Sequence, residues 1–110
     1  MTLQQKQCMF AGMVAKLIVK AGELGYQITL GEAYRPPEQA ELMAKQGKGI
    51  KNSLHTLRLA IDVNLFKNGT FLTASKDYAE LGDWWEEQGG SWGGHFNDGN
   101  HFSLSHNGVK

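Results

Sequence analysis

The sequence predicts an α+β fold: a small, mainly antiparallel sheet with helices packed on one face, forming a single domain over residues 1–110. Three observations lead there. Residues 3–24 place apolar side chains at three- and four-residue intervals, the period of a helix with one buried stripe. The stretch "LAIDVNLF", residues 59–66, alternates apolar and polar residues, as a strand with one buried face does. The Asn68-Gly69 pair that follows is a strong short-range signal for a tight antiparallel hairpin. A chain of 110 residues, 41% of them hydrophobic, can bury one modest core.

In the first helix the apolar stripe is Phe10, Met13, Val14, Leu17, Ile18 and Ala21, and Gly22 or Gly25 ends it. "YQITL" then turns Tyr26, Ile28 and Leu30 one way and Gln27 and Thr29 the other, a short half-buried strand. "RPPEQAELMAKQG" predicts a second, short helix: prolines suit a first helical turn, where their missing N–H would have no partner, and Gly47 closes it. "GKGIKN" reads as a flexible connection. The long strand sets Leu59, Ile61, Val63 and Leu65 on the core face, leaving Ala60, Asp62 and Asn64 on the other. After the hairpin, Ser75 is the expected N-cap of a third helix that carries Tyr78, Leu81, Trp84 and Trp85 and stops at Gly89-Gly90. A glycine-rich loop, "GGSWGGHFNDGN", leads to a last strand, "HFSL".

Composition excludes several classes of function. Eleven basic residues balance eleven acidic ones and are scattered along the chain, so no electrostatic footprint for nucleic acid or an anionic membrane is present. Neither a nucleic-acid partner nor stable membrane association is expected. Cys8 is the one cysteine, which rules out a disulfide framework and fits a reducing compartment. "MTLQQKQ" is polar where a signal peptide is basic and then apolar, and Lys16 and Lys20 interrupt the apolar stretch that follows. The expectation is therefore no export signal, no membrane span and accumulation in the cytoplasm.

The polar face of the long strand is where chemistry collects. Asp62 points away from the apolar row, and in the last strand His101 and Ser103 share the face opposite Phe102 and Leu104. His55 precedes Asp62 by seven positions, an odd spacing, so the chain must bend between them to bring both to one site. Two imidazoles and a carboxylate are a natural zinc ligand set that leaves a fourth position open, as catalysis requires. Asp98, three residues before His101, is the candidate for moving a proton at such a site. Each residue alone reads as ordinary: an isolated strand histidine or aspartate is usually hydrogen-bonded or solvated. The joint spacing is what carries weight.

These residues resemble the zinc D-Ala-D-Ala carboxypeptidases and L-Ala-D-Glu endopeptidases that cut peptidoglycan stem peptides, including small phage endolysins. The family's hallmark, Ser-x-His-x6-Asp with an acidic residue three positions before a second metal-binding histidine, reads here as Ser53, His55 and Asp62, then Asp98 and His101. Its arginine-to-glutamine stretch after the first strand corresponds to Arg35 to Gln39 in "YRPPEQ". The resemblance covers residues 26–104. It implies zinc ligands at His55, Asp62 and His101, a general base and acid at Asp98, and an Arg35 that stabilises an oxyanion or holds a substrate carboxylate. It also implies that Ser53 lines the substrate pocket. One departure stands out: the family usually has glycine three positions after the first histidine, where this chain has Arg58.

Other aromatic and histidine residues have plainer readings. Trp92, in the glycine-rich loop, is a candidate wall of the site, while Trp84 and Trp85 fit the core. His95 is expected at the rim, His106 exposed, and Asp83, Glu86 and Glu87 on a solvated helix face. The functional expectation is a monomeric zinc peptidase acting on stem peptides, with the L-Ala-D-Glu bond favoured over D-Ala-D-Ala. Endolysin-like use requires a separate pore-forming protein for access to the wall. The alternatives are a non-catalytic zinc-containing wall-binding module on the same scaffold and, more weakly, a metal-dependent nuclease, which the neutral charge disfavours.

Overall fold

Helix α1, Leu3–Glu23, begins with a reciprocal cap: Gln5 N–H donates to Thr2 Oγ1, and Thr2 N–H donates to the Gln5 side chain. Phe10, Leu17 and Ala21 are buried and Met13 and Val14 pack against them, but Ile18 is 39% exposed. At about 3.6 residues per turn, Ile18 falls on the rim of the arc centred on Leu17 and Ala21, so the stripe is one residue narrower than predicted. The computed structural model describes residues 1–48 and 53–110. Most of the "GKGIKN" connection, residues 49–52, lies outside the described residues.

Among the described residues five strands form one antiparallel sheet: β1, Gln27–Leu30; β2, Ala60–Lys67; β3, Thr70–Phe71; β4, Ser91–Trp92; and β5, His101–Ser103. Their order is β1-β2-β5-β4, with β3 folded back on the far end of β2. Strand β2 is the spine. Its Leu59-Ile61-Val63-Leu65 row is buried, as the alternation predicts, and faces Leu17, Leu81 and Trp85 from the helices in one core. Lys67 pairs with Thr70 across Asn68 and Gly69, both at positive φ, the conformation this hairpin dipeptide favours. Strand β1 departs from expectation: Ile28 packs on the core, but Leu30, at the end of an edge strand, stays 59% exposed.

The second helix, α2, is Pro37–Lys45, with proline in its first turn. The third is two pieces. A 3-10 turn, Ser75–Tyr78, leads into α3, Ala79–Glu87. Ser75 does not cap this helix; Ala74 precedes the turn, and its N–H donates to Asp77 Oδ2 at 3.3 Å. The Ser75 hydroxyl is instead used across the fold, accepting from Gly99 N–H at 2.9 Å. Trp85 locks α1, α3 and β5 together: it meets Phe10 and Phe102 edge to face and donates Nε1–H to the Ser103 carbonyl at 2.9 Å. The "GGSWGGHFNDGN" segment is more ordered than a plain loop, containing β4 and a 3-10 turn at Gly93–Phe96. With α1 and α3 on the odd face of β2, its even face is left for a site.

Candidate metal centre

His55 sits on a 3-10 turn, Leu54–Leu57, which makes the bend its spacing from Asp62 demanded. Ser53 caps that turn, its Oγ accepting from His55 N–H at 3.2 Å, while Arg35 N–H donates to the His55 carbonyl at 3.1 Å. The turn ends at Arg58, whose φ of 57° and ψ of 36° place it in the left-handed region. The chain thus keeps the backbone geometry that the family's glycine adopts easily, using arginine. The Arg58 guanidinium lies 3.9 Å from the centre of the Tyr34 ring, a stacking contact that helps offset the strain.

Asp62 and His101 are directly paired across β2 and β5, so their side chains leave the sheet on one face. His55 Nε2 lies 3.3 Å and His101 Nδ1 3.5 Å from Asp62 Oδ1. One ligand atom from each residue falls within 4.8 Å of the others, close enough to share one metal ion. The tautomer fits as well. His55 Nδ1 is 3.1 Å from the Ala33 carbonyl, which can only accept, so Nδ1 carries the proton and Nε2 is free to ligate.

The electrostatics support the same grouping. Burial alone would push the Asp62 carboxyl up, but the His101 and His55 rings hold it down to about 2. Burial would likewise lower His55, yet Asp62, the Ala33 carbonyl and Glu32 leave its pKa above the ordinary value. Asp98 stands at the mouth of this group, its side chain 61% exposed and Oδ2 4.0 Å from His101 Nδ1.

A cleft of about 650 Å³ opens over the centre, lined among others by Arg35, Ser53, His55, Asp62, Asp98 and His101. All of the residues singled out for ligation and proton transfer therefore meet in one place. Trp92 does not join them. It is 7% exposed, covered by Gly82 and Gly94, and donates Nε1–H to the Gly99 carbonyl at 2.7 Å, so it braces the loop from behind and is not a wall of the cleft. His95 lies apart, pairing with Glu86 at 2.9 Å. His106 is half-buried rather than exposed, 3.2 Å from Lys6 Nζ.

Sequence reading missed Glu32. Its carboxylate takes both Nε–H, at 2.9 Å, and an Nη2–H of Arg35, and lies 3.7 Å from His55 Nδ1. The i,i+3 spacing of an acid and a base in "EAYR" was the available signal, though it marks helical pairs and this segment is extended. Ser75, which pins the Asp98 loop through Gly99, carried no local signal at all.

Residues 46–104, more than half of the chain, match the family model described as D-alanyl-D-alanine carboxypeptidase. The chain belongs to that family. It is accordingly a metallopeptidase acting on peptidoglycan. A solved structure of similar shape is the Serratia marcescens L-Ala D-Glu endopeptidase ChiX, with a TM-score of 0.69 at 22% identity over 86% of this chain and 79% of that one. At that identity the likeness speaks for the fold. No curated protein sequence matches the peptidase. Among the described residues no helix of the peptidase is long and apolar enough to cross a membrane.

Proposed function

We propose that this chain is a zinc peptidase that hydrolyses the L-Ala-D-Glu bond of peptidoglycan stem peptides. The observation that carries the reading is the convergence of His55, Asp62 and His101 beside Asp98 under one cleft. Two neutral imidazoles and a carboxylate suit zinc and leave a position open. When bound, zinc supplies a Lewis acid and brings the pKa of a coordinated water to about 7. The protein's own groups supply the rest. Asp98, exposed and not itself a ligand, takes the proton from the attacking water and delivers it to the leaving amine. Arg35 spends two donors on Glu32, which fixes its guanidinium plane and leaves its remaining N–H groups for the developing oxyanion. Ser53 holds the His55 turn and lines the substrate cleft.

The choice of bond is supported by the likeness in shape to a solved L-Ala D-Glu endopeptidase. The motif's likeness to small phage endolysins supports a lytic role for a monomer that accumulates in the cytoplasm and reaches the wall after a separate pore-forming protein opens the membrane. Lysis by this protein in cells that lack any pore-former contradicts that role.

Mass spectrometry of the products from purified peptidoglycan tests the reaction. The zinc-loaded protein releases fragments with new L-Ala carboxyl and D-Glu amino termini. Asp98→Asn keeps its zinc and loses about 10²–10⁴-fold in turnover. Cleavage that survives chelation sinks the mechanism, and intact stem peptides with zinc bound favour the non-catalytic wall-binding module.

A further inference from the structure

A second depression, of about 220 Å³, borders Asp98, which it shares with the main cleft. Asn64 on β2, Ser75 before α3, and Asn97 and Asn100 in the following loop contribute its polar lining. Asn64 is two residues beyond Asp62 on the same face of β2, roughly 6.6 Å along the strand, so the depression continues the line of the metal centre. The two spaces differ in charge. Arg35, Lys48 and Lys110 line the main cleft, whereas among the described residues the depression has no charged side chain except the shared Asp98. Asn64 Nδ2 donates to Thr29 Oγ1 at 3.3 Å, which orients the amide and leaves Oδ1 to accept.

We infer that this depression is the subsite for the uncharged acyl half of the substrate and that Asn64 is its specificity-determining residue. The inference rests on the endopeptidase reading above. In intact peptidoglycan the amino group of L-Ala is acylated by the glycan's lactyl group, so this half offers amide N–H and C=O groups and carries no charge. Asn64, Asn97 and Asn100 can pair with those groups on entry, which offsets their desolvation. The D-Glu half, with its carboxylate, lies toward Arg35, Lys48 and Lys110, and the scissile bond falls beside Asp98.

The test compares kcat/KM of the zinc-loaded protein on two peptides of sequence L-Ala-γ-D-Glu-L-Lys-D-Ala-D-Ala, one N-acetylated and one with a free amine. The unmutated protein should prefer the acetylated peptide by about tenfold or more, the worth of roughly one well-made hydrogen bond. Asn64→Leu should bring that ratio close to one, and Asn100→Ala should reduce it in the same direction, which keeps the test decisive if the first variant folds poorly. A purely structural defect lowers both peptides alike and preserves the ratio. Cleavage at L-Ala-D-Glu with no preference, or with a preference both variants retain, overturns the subsite and leaves the endopeptidase reading standing. Cleavage between the two D-Ala residues, or none, overturns both.

Discussion

Arg58 shows how one residue keeps a family turn without the family's usual side chain. A left-handed backbone costs a non-glycine residue about 1–2 kcal/mol, of which stacking on Tyr34 returns about 0.5–1 kcal/mol. Arg58→Ala keeps the strain and loses the stack, whereas Arg58→Gly loses both. Thermal unfolding should therefore rank Arg58→Ala below Arg58→Gly by about 1 kcal/mol, and equal stabilities would show that strain is not what this position manages. The ligand residues carry a pH signature of their own. In the metal-free protein His55 titrates above its ordinary 6.5, so its contribution to stability is complete below that value and is lost as pH rises through the folded pKa. Asp62 titrates at about 2 against an ordinary 3.8, so its contribution is complete above 3.8 and is lost as pH falls. Chelator-treated protein should be most stable between these limits as far as this cluster decides, while zinc affinity falls on acidification as His55 protonates. Zinc binding that does not weaken through that range removes His55 from the ligand set.

Among the elements, the loop from Gly93 to Asn100 places Asp98, and two close approaches hold it. A side-chain carbon at Gly93 would come 2.3 Å from the Asp98 carbonyl oxygen, and one at Gly99 would come 2.5 Å from Ser75 Cα. Both obstacles are backbone atoms, which cannot swing aside. Gly99→Ala should therefore displace Asp98 and lower kcat by about a hundredfold, as a misplacement near 1 Å can. His101 is held by its own pairing with Asp62, so zinc content should stay near stoichiometric. Full activity in Gly99→Ala would show that the loop does not govern the position of Asp98. The sequence made this loop's glycines visible but gave no reason for them, because Ser75 and Gly99 meet only after α3 has turned the chain back.

For the whole molecule, the metal centre is a tie between the Leu54–Leu57 turn, the spine strand β2 and β5, segments brought together by the fold. An ion that binds the folded chain and not the unfolded one stabilises it by about 2.7 kcal/mol at a hundred times its Kd. For a domain of this size that raises the unfolding midpoint by roughly 10 °C. Differential scanning with and without zinc checks this, and an unmoved midpoint at saturating zinc means the site is not formed as described.

Much of this was legible beforehand. The alternation in "LAIDVNLF" determined that Asp62 leaves the sheet opposite the core, and Asn68-Gly69 determined the hairpin, because side-chain direction in a strand and positive φ in a tight turn are local properties. The family spacing named His55, Asp98 and His101 for the same site. Tertiary structure decided what depends on contacts between distant segments. It turned Trp92 inward as a brace, exposed Leu30 at the sheet edge, engaged Arg35 with Glu32 and recruited Ser75 to the loop that carries Asp98. Each of those outcomes depends on which surfaces meet when the sheet closes, and residue order sets periodicity along one element but not the neighbour it will face.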